Sequence, residues 1–183
     1  MKIKKYFLLK ELTDSKLRYA QLYLEELKNS HIPGSDIEMA HQESFLFHLN
    51  GVIDPFLAEL NEIYGLGIKT KNLSIKKIKA AKSGSKKKPI QEAKKLNKLM
   101  NKKNWLSELK SFKPHTVQIV KNGEKDEIND EKEIVLEEIS QIPINPLLEK
   151  FEEWHVKMSQ LIFELRESAI HASGNSSKIE QRS

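Results

Sequence analysis

Two Glu-x-x-His pairs, Glu38-Met-Ala-His41 and Glu152-Glu-Trp-His155, are the residues of this 183-residue chain closest to a metal-binding pattern. Residues three apart share one helical face, so each pair could offer a carboxylate and an imidazole to a single ion. In ferritin-like bundles two such pairs and two further inward glutamates hold a di-iron centre. The further glutamates are not well placed here: Glu25 and Glu26 fall at the end of their helix, and the lysine-rich middle offers none suitable. The expectation is a chain with no metal and no cofactor, its Glu-x-x-His residues polar groups of the surface or half-interior. With no cysteine, disulfides, thiolate catalysis and Cys-based metal sites are excluded.

His41 and His48 lie seven residues apart on an apolar stripe with Phe45 and Val52. A histidine in that setting is most often a core residue hydrogen-bonded to a neighbour. Glu43 is five residues from His48, a poor helical alignment for an acid–base couple.

The other chemical signal is charge. From Lys69 to Lys103 there are 14 lysines and one acid, Glu92, a net of +13 in a chain whose total is +5. Between Glu124 and Glu167, 13 acids face 5 bases. The two segments either neutralise each other or leave the basic one to meet an external polyanion. Lysine binds phosphate as a point charge and needs little geometry, so Lys76, Lys77, Lys79, Lys82, Lys86, Lys87 and Lys88 are candidate contacts for nucleic acid or an acidic protein. Arginine is absent from the segment and aromatics do not interleave before Trp105, so base readout has no support. The alternative is a solvated lysine-rich loop that binds nothing.

These side chains need helices to position them. Leu17, Ala20, Tyr23, Leu24 and Leu27 recur at helical spacing and predict a helix over about 12–29. After His31-Ile32-Pro33-Gly34, Ser35 with Glu38 forms a capping box opening a second, central helix that runs to Tyr64 and stops at Gly65-Leu66-Gly67. Pro55 removes a hydrogen bond to Gly51, which predicts a kink. Weaker helices follow over 73–81 and 90–100, separated by a flexible loop at 83–89. Asn104 caps a short helix with Trp105, Leu106, Leu109 and Phe112 inside. Residues 114–135 are irregular, with Thr116–Val120 and the Asn122-Gly123 turn a possible short hairpin. Asn145 and Pro146 open the last helix, whose seam is Leu147, Phe151, Trp154, Met158, Leu161 and Leu165. Residues 172–183 read as a disordered tail.

The fold class is therefore all-α: a bundle of three long or medium helices with short accessory ones, a single domain over 1–171. In it Phe45, Val52 and Phe56 should meet Phe151, Trp154 and Met158. The opening Met1-Lys-Ile-Lys-Lys-Tyr-Phe-Leu-Leu-Lys10 has too short an apolar run for a signal peptide, and no stretch is long enough to span a membrane, so the cytoplasm is the expected compartment.

Two stretches resemble known families. Arg166-Glu-Ser-Ala-Ile-His171 is similar to the Arg-x4-His motif of HEPN bundle nucleases; that resemblance implies RNA cleavage by Arg166 and His171 across a dimer, although the family's helix continues well past the histidine. The run Ala40-His-Gln-Glu-Ser-Phe-Leu-Phe-His-Leu-Asn-Gly51, with Trp105-Leu-Ser-Glu-Leu109 and Leu-Glu-Lys-Phe-Glu-Glu-Trp154 through Leu-Arg-Glu167, resembles an uncharacterised family of small bacterial helical proteins over about 15–170. Glu43, Phe47, His48, Gly51, Trp154 and Arg166 stand at its matching positions, without an assigned role. That resemblance implies a helical fold and no activity; the lysine-rich middle departs from it. The expectation is a non-enzymatic interaction protein, with a homodimer compatible and the HEPN-like ribonuclease as the alternative.

Overall fold

The computed structural model describes residues 2–29, 35–83, 88–101, 103–113 and 146–175. It is all-helical apart from one minimal strand pair. Helix α1 runs Ile3–Asn29, α2 Asp36–Asn50, α3 Ile53–Ile63, α4 Ile75–Ala80, α5 Gln91–Asn101, α6 Trp105–Ser111 and α7 Pro146–Ser173.

Helix α1 starts nine residues earlier than its apolar spacing predicts. Its buried face steps by sevens through Tyr6, Thr13, Ala20 and Leu27, and the polar Thr13 hides that period. Thr13 is accommodated because its Oγ1 donates to the Leu9 carbonyl at 3.2 Å. Ile3 to Lys10 are thus the first turns of a core helix.

Helices α2 and α3 are one long helix bent at Gly51-Val52, as Pro55 requires. The missing Pro55 N–H leaves the Gly51 carbonyl without its helical donor, and the chain tightens there: Val52 N–H donates to the Leu49 carbonyl at 3.3 Å. A Cβ on Gly51 would stand 3.0 Å from the Phe47 carbonyl oxygen, so a side chain at the bend would press on that backbone. The Ser35 hydroxyl caps α2 by accepting from Glu38 N–H, and Gly65 and Gly67, both at positive φ, end the turn after α3.

Helix α1 lies antiparallel to α2–α3, its start ion-paired through Lys5 to Glu62 and its later turns in tilted ring contact through Tyr23 with His41. It is also antiparallel to α7, from Lys28–Glu152 at one end to Asp14–Arg166 further along. Between them sits the expected aromatic core: Phe45 stacks on Phe151 at 4.7 Å, and Trp154, only 1% exposed, packs on Phe151 and Phe112.

The remaining helices lean on this frame. Ile78, Ile90, Ala93 and Leu96 are buried where α4 meets α5. Ser74 caps α4 and Asn104 caps α6 through their side chains. The 83–89 stretch is not simply a loop: Lys82 pairs with Pro89 and Ser83 with Lys88 in a two-residue antiparallel ladder, β1 (Lys82–Ser83) and β2 (Lys88–Pro89). Nor does the tail begin at Ala172. Helix α7 continues to Ser173, Gly174 takes a positive φ, and buried Asn175 donates from Nδ2 to the Ile63 carbonyl at 3.1 Å. The possible hairpin and the acidic stretch within 114–145, the Asn145 cap and residues 176–183 lie outside the described residues. No helix among the described residues is long and apolar enough to cross a membrane.

Candidate functional site

The lysine-rich segment folds so that its apolar residues and its single acid face inward. Helix α4 buries Ile78 and turns Lys76, Lys77 and Lys79 to solvent; helix α5 buries Ala93 and Leu96 and exposes Lys94, Lys95 and Lys98. Lys82 and Lys88, on the ladder between them, are exposed as well. Lys86 and Lys87 lie outside the described residues.

Glu92 is buried at 2% exposure. Its carboxylate accepts from the Tyr64 hydroxyl at 2.8 Å and from the Ser168 hydroxyl at 2.6 Å, tying α5 to the end of α3 and to α7. Burial, and then the bond to Glu92, push the Tyr64 hydroxyl well above its ordinary pKa. The one negative charge between Lys69 and Lys103 is thus used inside the protein. Among the described residues the segment makes one ion pair, Lys95–Glu164 at 2.9 Å, with both side chains at least half exposed. Such a pair contributes little to stability. It crosses an open cleft of about 530 Å³ between α5 and α7, lined also by Lys94, Lys98 and Ser168.

The remaining candidates have other surroundings. Arg166 is buried: its Nε and Nη2 donate to Glu59 at 2.8 and 3.0 Å, and Nη2 also donates to Asp14 at 2.9 Å. Lys10 donates to the other Asp14 oxygen at 2.6 Å. Burial alone would lower the Arg166 pKa, but Glu59 and Asp14 hold it above the ordinary value. Burial would likewise raise Asp14, yet the hydrogen bonds and charges of Lys10 and Arg166 leave it lowered. Tyr6 beside this cluster is pushed up to about 12 by burial and by the Glu59 charge.

His171 is exposed near the end of α7. Five residues on a helix turn about 140° away, so Arg166 and His171 do not share a face. The geometry does not assemble the Arg-x4-His pair, and Arg166 is already held by two carboxylates.

The Glu-x-x-His residues are likewise engaged separately. Glu38 accepts from Gln42, Glu152 pairs with Lys28, and His155 Nε2 donates to the Leu17 carbonyl at 3.1 Å. No group of three or more His, Asp or Glu among the described residues is placed to hold a metal ion.

His41 and His48 depart from the expectation of hydrogen-bonded core histidines. Both are half-buried on the flank of α2 that faces α1, and neither Nδ1 has a hydrogen-bond partner among the described residues. Their neighbours are rings: Tyr23 stacks on His48 at 5.6 Å, while Tyr19 and exposed Phe47 meet it edge-on. Burial, then the Lys16 charge, lowers the His48 pKa. Of the other positions singled out by resemblance, Glu43 is exposed and Trp154 is core.

Sequence reasoning missed Lys94, Lys95 and Lys98, although their spacing on one side of the predicted 90–100 helix marks them. It also missed Glu59. A carboxylate on the Phe56–Leu60–Ile63 stripe is a signal that a buried cation must lie opposite.

Residues 9–171 match the model of a family of unknown function, DUF6586. No curated protein and no solved structure matches the chain.

Proposed function

The chain belongs to DUF6586, a family of unknown function, and from its geometry we propose that it is a non-enzymatic helical protein that binds nucleic acid without sequence preference through the lysines of α4, the ladder and α5. The observation that carries this reading is the inward turn of Glu92 beneath an outward set of lysines with one weak ion pair among the described residues. A surface that only needed solubility would gain nothing from removing its one acid. Phosphates on a duplex or single strand supply the missing anions, and the released counterions supply the driving force. The absence of arginine and of aromatic rings among these lysines supports backbone contact over base readout.

The expected affinity is on the order of 10⁻⁴ to 10⁻⁶ M at physiological salt. With about four phosphates contacted, log K against log salt should fall with a slope between about −3 and −4 on duplex DNA. Replacing Lys76, Lys77, Lys79, Lys82 and Lys88 together by Gln should flatten that slope. No binding at low salt, or a five-fold variant that binds as well as the native chain, would overturn the reading. Binding to an acidic polypeptide but not to DNA or RNA would assign the same face to a protein partner.

A further inference from the structure

Helix α1 has a second apolar face. Its buried side passes through Tyr6, Thr13, Ala20 and Leu27, whereas Leu8, Leu12, Tyr19 and Leu22 are 45–61% exposed. These four make up half of the large hydrophobic side chains exposed among the described residues. They share one stripe. In order it reads Lys4, Leu8, Leu12, Ser15, Tyr19, Leu22, Glu26, in steps of three and four residues. That is the spacing of a coiled-coil seam, about 33 Å long at 1.5 Å per residue. The seam extends onto α2, where Tyr19 meets His48 at 5.2 Å and Phe47 lies under the Lys16 ammonium at 4.7 Å.

Read in reverse, the stripe has the same chemistry with the charge sign exchanged. A two-fold axis through Ser15 sets Leu8 against Leu22, Leu12 beside Tyr19, and the small Ser15 against its own copy. The same operation sets Lys4 against Glu26. Neither Lys4 nor Glu26 has an ion-pair partner among the described residues. More broadly, the first turns of α1 carry Lys4, Lys5 and Lys10, and its last turns Glu25 and Glu26 beside Lys28, which is paired with Glu152. A parallel pairing would bring like charges together; an antiparallel one brings opposites together and opposes the helix dipoles.

From this self-complementarity we infer that the occupant of the face is a second copy of the chain, docked antiparallel through α1 in an isologous two-fold dimer. The inference is independent of the lysines of α4 and α5, which lie on other helices.

Light scattering and sedimentation of the full chain at micromolar to millimolar concentrations test it. The expected species has twice the 21.2 kDa mass of one chain. Leu12→Glu should give the monomer with helical circular dichroism unchanged, because Leu12 is exposed. Lys4→Glu and Glu26→Lys should each raise the dimer dissociation constant about threefold or more, and the double exchange should restore it. The chain has no cysteine, so thiols can be introduced one at a time. Ser15→Cys should cross-link to itself under mild oxidation and Leu8→Cys should not, while Leu8→Cys mixed with Leu22→Cys should cross-link. A monomer at every concentration, a dimer indifferent to Leu12→Glu, a double exchange weaker than either single one, or self-linking of Leu8→Cys would each overturn the proposal.

Discussion

Arg166 and the lysines of α4 and α5 are all cations on helices, but their surroundings are opposite. Arg166 is inside, with two carboxylates at hydrogen-bonding distance and a second cation, Lys10, completing the cluster across α1, α3 and α7. The lysines are outside, with one weakly paired member among the described residues and their only local acid turned into the core. Removing a charge from water costs several kcal/mol, which only geometry and partners recover, so the interior charge is committed to holding three helices in register. An exposed lysine faces no such penalty and contributes little to stability. The charges that matter to the fold and those free for a partner are therefore separated by burial and not by residue type.

The largest test of this contrast is Arg166→Met. It leaves Glu59 and Asp14 facing each other without their shared cation, and should cost about 3–5 kcal/mol in a denaturant titration. Adding Glu59→Leu should recover much of that loss, since an apolar pair can replace a buried ion pair. If Arg166→Met melts like the native chain, the cluster is not structural. Next in size is Glu92→Leu, expected to cost about 1–3 kcal/mol because the Tyr64 and Ser168 hydroxyls lose their acceptor. The five-lysine Gln variant described above should change stability by less than about 1 kcal/mol while losing nucleic-acid affinity. A large drop in its melting temperature would mean that the lysines neutralise acids of the same chain.

The pH arms are smaller. The folded-state pKa of Asp14 is lowered from 3.8, so its contribution is present above pH 3.8 and lost as pH falls through the folded value. Asp14→Asn should therefore flatten the acid limb of the stability curve below about pH 4. His48 is lowered from 6.5, so the folded protein binds fewer protons than the unfolded chain just below that pH. Stability should rise with pH between the folded value and 6.5, and be level in this component above and below. His48→Gln should remove that shallow rise, measured by melts from pH 4.5 to 8.

Much of the helical frame is legible from local pattern. The Ser35 and Asn104 caps, the Pro146 start and the bend prescribed by Pro55 with Gly51 each depend on neighbours within a few positions, and each stands in the structure. Phe45 meeting Phe151 follows from two apolar seams that must pair. What resists reading is long-range pairing of polar groups. Arg166 finds Glu59 from 107 positions away and Asp14 from 152, and no period links them. The spacing of Arg166 and His171 likewise carries no sign that Arg166 is buried between Glu59 and Asp14. The opening turns of α1 are obscured for a related reason: lysines alternate with apolar residues there, and the buried period includes a threonine whose hydroxyl is satisfied by its own helix. His41 and His48 belong to the stripe by count, but the stripe is wider than the core, and rings of α1 rather than hydrogen-bonding groups cover them.

The pairing of α1 with α7 carries a consequence for how the protein is made. Asp14 emerges from the ribosome about 150 residues before Arg166, so the contact between them cannot form until α7 has been synthesised. Until then α1 lacks the cover of α7, and the eight core residues of α7, from Phe151 to Ile170, are absent. Contacts closed over so long a span form more slowly than those between sequential helices. A nascent chain stalled before α7 would be the species most in need of a chaperone.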